Sequence, residues 1–293
     1  GWFARRHICY VRWVMLRYAR ILAVVVVVAL VVVVGVWGGL RYLEHRWTFI
    51  PDKYDPKAPW QIPENVAEVS FPTSDGVRLH GWFRPGQAPR NGVTVLLMLG
   101  RTGKLPTFKY EIDAMQKRGF DLLLYNYRGY GKSEGTTLSE ATLALDGKAA
   151  LRYLTEERGV APTSIAFVGI SLGAAVAVDL ATTSFCRAVV LIGAFASLKQ
   201  AAKHARPWIP DFLLDHLESP FDTVSKIPGV NCPVLLVHGE SDKIFPLAQA
   251  QEIYDAAPQP KRLIVVPDAG HWRPTRSDNS YLDQVASFMV TGR

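Results

Sequence analysis

The chain has 293 residues, 49% hydrophobic and 20% charged, which allows one large domain or two small ones. Its net charge is +7, but Arg5, Arg6, Arg12, Arg17 and Arg20 all lie before residue 21, where no acidic residue occurs. Without those five, the remainder of the 33 basic residues almost balances the 26 acidic ones. The body is near neutral, and nothing argues for a nucleic-acid partner.

The five arginines precede ILAVVVVVALVVVVGVWGGL, Ile21 to Leu40, a stretch without a single charge. At 1.5 Å rise per residue, about 20 residues span about 30 Å, the thickness of a bilayer core. Valine favours strands in water, yet an isolated strand in lipid would leave its backbone unpaired, so this segment is expected to be a helix. The apolar part of a cleaved signal peptide would be shorter, about 7–15 residues, and would end at small residues. Gly35-Val36-Trp37-Gly38-Gly39 is a poor cleavage site, so an uncleaved anchor is expected over 21–40. The arginine bias places residues 1–20 in the cytoplasm and the body on the exoplasmic side: periplasmic, extracellular or lumenal. The bilayer is the first partner expected.

Residues 41–65 are rich in proline, aromatics and charge and read as a tether over the domain or the membrane surface. From residue 66 a rhythm begins. VAEVSF and VRLHGWF alternate around Ser74-Asp75-Gly76 and read as a hairpin. Apolar runs then follow at 93–99, 121–126, 164–169, 188–193, 234–239 and 262–267, separated by helical patterns at 107–118, 139–157, 172–183, 247–256 and 280–290. Continuous apolar runs are the mark of buried parallel strands. Their alternation with helices predicts a doubly wound α/β sheet of about eight strands, with helices on both faces, over residues 66–293. The connection over 195–231 is longer than the rest and carries Trp208, Ile209, Phe212, Leu213 and Leu214. It reads equally as a lid or as surface helices packed on the sheet, with Trp208, Phe212 and Leu213 the substrate candidates.

The third apolar run breaks into Gly100-Arg101-Thr102-Gly103-Lys104. A phosphate loop needs G-x-x-x-x-G-K-[ST]. Here Met98 stands where the first glycine belongs and Leu105 where the hydroxyl belongs, so a nucleotide site is set aside. A different loop, Gly169-Ile170-Ser171-Leu172-Gly173, is G-x-S-x-G between an apolar run and an alanine-rich helical segment. Such a turn holds serine in strained geometry at a helix N-terminus, and its glycines avoid backbone collisions.

A serine hydroxyl needs a base. Of seven histidines, His271 follows the last apolar run, at the C-terminal edge of the sheet where ligands of open α/β sheets bind. His238 ends a strand and competes for the role, but a packing residue is the plainer reading. Asp242 follows the same strand by a short turn and gives the order Ser…Asp…His; Glu240 and Asp268 are its competitors.

With LLLYNYRGYGKSEG (122–135), GISLGAAVAVDLA (169–181), CPVLLVHGESDKIFP (232–246) and VVPDAGH (265–271), residues 66–290 resemble the α/β-hydrolase fold, and more narrowly the membrane-anchored abhydrolase-domain serine hydrolases. The resemblance implies Ser171 as nucleophile, Asp242 as acid and His271 as base. It also implies that Gly100-Arg101 belongs to an oxyanion loop, with the backbone N–H groups of Arg101 and Leu172 as donors. Two positions depart from the family pattern: Leu99 stands for histidine and Arg101 for asparagine. Asn126 stands where aspartate is common, and Arg128, Gly129 and Gly131 read as turn structure. The expectation is a serine hydrolase of ester or thioester bonds in lipid-like acyl substrates, with no metal or cofactor. A peptidase and a catalytically weak scaffold on the same fold are its rivals. Three cysteines are too few for a disulfide scaffold. Cys186 and Cys232 each precede a strand, and a bond between them is a hypothesis of the sequence.

Overall fold

The computed structural model describes residues 2–271 and 280–293; for residues 2–12, 14 and 280 it describes the backbone alone. The described chain divides by contacts into two units, residues 1–47 and 48–293. The first is essentially one helix, α1 (Trp2–Thr48), longer at both ends than the apolar segment predicted. Within Met15–Thr48 its most apolar 18-residue window has a mean hydropathy of 3.1 and is not buried. Val24, Val25, Val27 and Val33, which point to different sides of the helix, are all more than half exposed. A helix apolar all round has no polar face to give to water. By length and composition it can cross a membrane, as an anchor or a signal sequence.

In the second unit, eight strands form one sheet among the described residues: β1 (Ala67–Pro72), β2 (Arg78–Arg84), β3 (Thr94–Met98), β4 (Asp121–Tyr125), β5 (Ile165–Ile170), β6 (Ala188–Ile192), β7 (Val234–Gly239) and β8 (Lys261–Val266). Their order is β1-β2-β4-β3-β5-β6-β7-β8. β2 pairs antiparallel with both β1 and β4, and the remaining pairs are parallel. The crossovers are α2 (Lys109–Lys117), α3 (Glu140–Arg152), α4 (Leu172–Thr183) and α8 (Leu247–Ala256), and α9 (Ser280–Thr291) follows the last strand. Each predicted strand and helical segment has its counterpart, displaced by a few residues at most.

The pattern follows from burial. Every residue of β3 and β7 is buried, which is why these runs lack polar alternation. The outer strands β1 and β8 bury only part of their residues. α4 packs so tightly on the sheet that nine of its residues are buried, mostly alanine and valine. Removing each large apolar side chain from water contributes about 1.5–3 kcal/mol, so this central layer dominates stability. The ends are set locally: Ser139 and Thr142 form a capping box on α3, and Ser197 accepts the Gln200 N–H on α5 (Leu198–Ala205).

In two regions the structure adds what the sequence leaves open. The compact unit begins at Thr48 rather than at residue 66. Phe49 is buried and meets Phe221 edge to face at 6.2 Å, and Trp60 packs on Trp82 at 6.1 Å. The proline-rich stretch 49–65 is therefore a strap laid on the domain. The long connection 195–231 folds into α5, α6 (Asp211–Leu214) and α7 (Thr223–Lys226). Its base is closed by hydrogen bonds from Leu198 N to Pro220 O (2.8 Å) and from Val224 N to Ala196 O (3.2 Å). Its five apolar residues split: Ile209 and Leu214 are buried, Leu213 is half-buried, and Trp208 and Phe212 are 75% and 64% exposed.

Cys186 and Cys232 are free thiols beside β6 and β7. A hydrogen bond with Cys232, reinforced by burial, pushes the Cys186 thiol far above its ordinary range.

Candidate active site

The site forms where β5, β7 and β8 end. Ser171 caps α4 with φ 55° and ψ −117°, a conformation that costs a non-glycine residue energy. The neighbours explain why it persists. A Cβ on Gly169 would lie 2.3 Å from Gly173 O, and one on Gly173 would lie 2.1 Å from Met98 O. The Ser171 N–H donates to Ile192 O at 2.9 Å, pinning the turn to β6. The Leu172 N–H is among the first amides of α4, which a helix leaves without intrahelical acceptors and which carry its positive dipole end.

His271 Nε2 lies 3.1 Å from Ser171 Oγ, and its Nδ1 lies 2.8 Å from Asp242 Oδ2. The sequence separations are 100 and 29 residues, and the fold closes both. Asp242 is buried and accepts the N–H groups of Ile244 (2.8 Å) and Phe245 (3.0 Å) on its Oδ1. Burial by itself would push this carboxyl up. The hydrogen bond with His271 and the two amides outweigh it, and the acid sits below its ordinary value. An ionised Asp242 beside Nδ1 favours the tautomer protonated there, with Nε2 turned toward the serine hydroxyl.

Two neighbours of the imidazole, Phe245 and Gly193, carry no signal in the sequence. Phe245 stands edge-on to it at 4.9 Å and is itself packed on Phe195. Gly193, with φ +58°, lies so near that a Cβ there would be 3.3 Å from the ring. His238 lies buried beneath the acid: its Nε2 donates to Phe245 O at 2.8 Å and is 3.5 Å from Asp242 Oδ2. Burial lowers its affinity for a proton, so it stays neutral and packs, as the plainer reading expects. The other candidate acids lie elsewhere: Glu240 accepts the Asp268 N–H at 3.4 Å, and both are exposed. His80 is likewise a packing residue, between Glu68 (2.8 Å) and Asn126 (3.4 Å).

Gly100 faces the serine. A Cβ there would be 3.5 Å from Ser171 Cβ and 4.0 Å from Oγ, so the 99–104 loop and the elbow share one small space. Lys104 is not directed at a phosphate; its Nζ pairs with Asp52 at 2.8 Å. Among the described residues, no group of three or more His, Cys, Asp or Glu side chains gathers as a metal site. Arg128 is buried and pairs with Asp146 and Asp75, at 2.8 and 2.7 Å, which makes it turn structure.

Two family models match the chain: one described as serine aminopeptidase S33 over residues 89–219, and one described as alpha/beta hydrolase fold over residues 214–273. An uncharacterized protein of Mycobacterium tuberculosis is 36% identical over 282 residues, covering 94% of this chain and 97% of its own. The alpha/beta hydrolase domain-containing protein 17C of Mus musculus is 29% identical over 219 residues, covering 73% of this chain and 66% of its own. The chain belongs to the α/β-hydrolase family. Among solved structures, an esterase of Pyrococcus furiosus superposes with a TM-score of 0.66 at 22% identity, covering 82% of this chain and 97% of its own. An alpha-beta hydrolase of Vibrio vulnificus gives 0.65 at 22%, covering 81% and 96%. These two establish the fold of this α/β hydrolase. It is a hydrolase.

Proposed function

We propose that this α/β hydrolase is a membrane-anchored serine hydrolase that cleaves carboxylic ester or thioester bonds of lipid-like acyl substrates. The observation that carries the reading is the continuous contact from Ser171 Oγ through His271 to Asp242, at 3.1 and 2.8 Å. Ser171 attacks the acyl carbonyl while His271 Nε2 takes its proton. Asp242 stabilises the imidazolium, and His271 returns the proton to the departing alcohol or thiol. Water then attacks the acyl-enzyme by the same route. The tetrahedral oxyanion is received by the N–H groups of Arg101 and Leu172. α1 is the anchor, with the arginine-rich end cytoplasmic and the hydrolase unit on the exoplasmic side.

The test is covalent. The full chain in detergent should react with a fluorophosphonate probe, and Ser171→Ala should lose both labelling and ester hydrolysis while keeping its melting temperature. Retained labelling in that variant would remove Ser171 from the mechanism. The serine aminopeptidase description of one matching family favours a second reading, peptide cleavage. Parallel assays on acyl esters and on amino-acid amides separate the two.

The lipid part rests on α1 and on the exposure of Trp208 and Phe212 in the 195–231 excursion. Exposed apolar clusters mark lipid or ligand contacts more often than chance surface. Replacing both with serine should cut turnover of long-chain or vesicle-borne esters about tenfold, the worth of part of one buried side chain. Short soluble esters should still be cleaved. Equal loss on both substrates, with a lowered melting temperature, would count these residues as packing.

A further inference from the structure

The 99–104 loop is held by residues that the reaction itself does not use. Tyr127 Oη donates to Leu99 O at 3.0 Å, Tyr130 Oη donates to Arg101 O at 2.8 Å, and Asn126 Nδ2 donates to Gly103 O at 2.7 Å. All three side chains come from one turn after β4. The Gly103 N–H closes the set by donating to Gly100 O at 3.0 Å. In a planar trans peptide the C=O and the following N–H point in opposite directions. Fixing the carbonyls of Leu99, Gly100, Arg101 and Gly103 therefore fixes the N–H directions of Gly100, Arg101, Thr102 and Lys104. The tyrosines are suited to this. Burial raises both phenols far above their ordinary range, so each keeps the proton it donates.

A second element grips the same loop. The Ile50 N–H is shared between Arg101 O and Tyr130 Oη, both at 3.1 Å. Asp52 pairs with Lys104, its carbonyl accepts the Gly131 N–H at 2.8 Å, and the Tyr54 N–H donates to Gly131 O at 3.1 Å. The strap therefore touches the loop and the turn together. Gly103 makes the fit close: at φ +49° its missing Cβ would lie 2.8 Å from the Tyr130 ring.

We infer that the Asn126–Gly131 turn and the Ile50–Tyr54 strap are a clamp that aims the oxyanion donors, with Tyr127 and Tyr130 as positioning residues. The inference rests on the proposed reading of Ser171 as the nucleophile for its link to rate, but not for the clamp itself.

Two measurements on the full chain in detergent test it. The first is amide hydrogen exchange over the peptide spanning 99–104, in a Ser171→Ala background that needs no activity. Tyr127→Phe with Tyr130→Phe should raise exchange there about tenfold or more and leave β5 and α4 unchanged; wild-type protection in the double variant would overturn the clamp. The second is kinetics on a soluble short-chain p-nitrophenyl ester. Removing one oxyanion donor outright costs about 10²–10³ in rate, so misaiming it should lower kcat by roughly 10–10². KM and the pH profile should stay as in wild type, because acyl binding and His271 are untouched. Tyr125→Phe is the control: its hydroxyl is buried without a hydrogen-bond partner among the described residues, so its loss should leave kcat unchanged. Wild-type kcat in the tyrosine double variant, or an equal loss in Tyr125→Phe, would sever the clamp from the chemistry. Should the double variant fail to fold, Asp52→Asn with Lys104→Met removes an exposed strap-to-loop pair and keeps the core. It should raise exchange at 99–104 and lower kcat severalfold, and no change in either would overturn the proposal. A wild-type chain that cleaves no ester would fail the proposed function alone, since the exchange measurement still decides the clamp.

Discussion

The nucleophile elbow and the loop opposite it are two glycine-rich turns a few ångströms apart, built on opposite logic. The elbow is self-contained. Gly169 and Gly173 are glycine because each Cβ would strike backbone, Gly173 O in one case and Met98 O in the other, and backbone cannot step aside. The 99–104 loop draws its shape from outside, from hydroxyl and amide groups of residues 126–130 and from a strap some fifty residues earlier in the chain. One turn is determined by its own residue types. The other is determined by its neighbours, and its own sequence says little about it.

That contrast can be broken by substitution. The largest effect is expected at the elbow. Gly173→Ala places a methyl 2.1 Å from Met98 O, against the central strand of the sheet. Overpacking of this kind costs about 1–3 kcal/mol where side chains can yield, and here backbone must. Urea denaturation should show a loss of at least about 3 kcal/mol together with the activity. A midpoint near wild type would mean that the elbow is as pliable as the loop.

Gly103→Ala is the counterpart. Its methyl would lie 2.8 Å from the buried Tyr130 ring, a side chain rather than backbone, and φ +49° adds strain of about 1 kcal/mol. Activity should fall by about tenfold with a loss of stability of about 1–3 kcal/mol, below that at Gly173. The ratio of lost rate to lost stability, compared between the two alanines, measures how separately loop and elbow are held. Gly193→Ala should fall below both. Its methyl would touch the His271 ring at 3.3 Å, so kcat should drop severalfold while labelling by the fluorophosphonate slows in step.

The smallest effect belongs to Asp75, which braces the turn carrying both tyrosines. The hydrogen bond with Arg128, then that with Thr73, lowers its carboxyl to about 2. A depressed carboxylate stabilises the fold above its unfolded value near 3.8, and that contribution is lost as the pH falls toward 2. Asp75→Asn should flatten this part of the acid limb in a plot of urea midpoint against pH and leave the neutral side nearly parallel to wild type. The side chain is 40% exposed, so solvent screening keeps the effect small. An unchanged acid limb would show that Arg128 is held by Asp146 alone.

The sequence was legible wherever a rule of short range applied. Eight strands were readable because buried parallel strands have no choice but to be apolar. The elbow was readable because its glycines are forced by local sterics. Chain order and strand ends singled out Ser171, Asp242 and His271 as candidates, and the structure places them within hydrogen-bonding distance of one another in sequence Ser171–His271–Asp242. Phe245 and Gly193 take their places around the imidazole only through tertiary contact, so no spacing announced them. Whether residues 49–65 lie on the domain or on the membrane surface was left open for a related reason. Proline-rich, mixed-polarity chain has the same composition whether it hangs in water or lies on a domain, and its backbone hydrogen bonds to Arg101 and Gly131 leave no side-chain signature. The 195–231 excursion was ambiguous because its apolar residues divide between inside and outside.

The strap has a practical consequence for anyone cutting the molecule free of its helix. Sequence composition places the natural truncation point at residue 66, where the strand pattern begins. A fragment starting there would lack Phe49, Ile50, Asp52 and Trp60, baring the face of Phe221 and Trp82 and releasing Arg101 O from one of its two donors. Such a fragment should express with an intact sheet and a crippled turnover, and could be misread as a dead enzyme. Starting it at Thr48 retains all of these contacts.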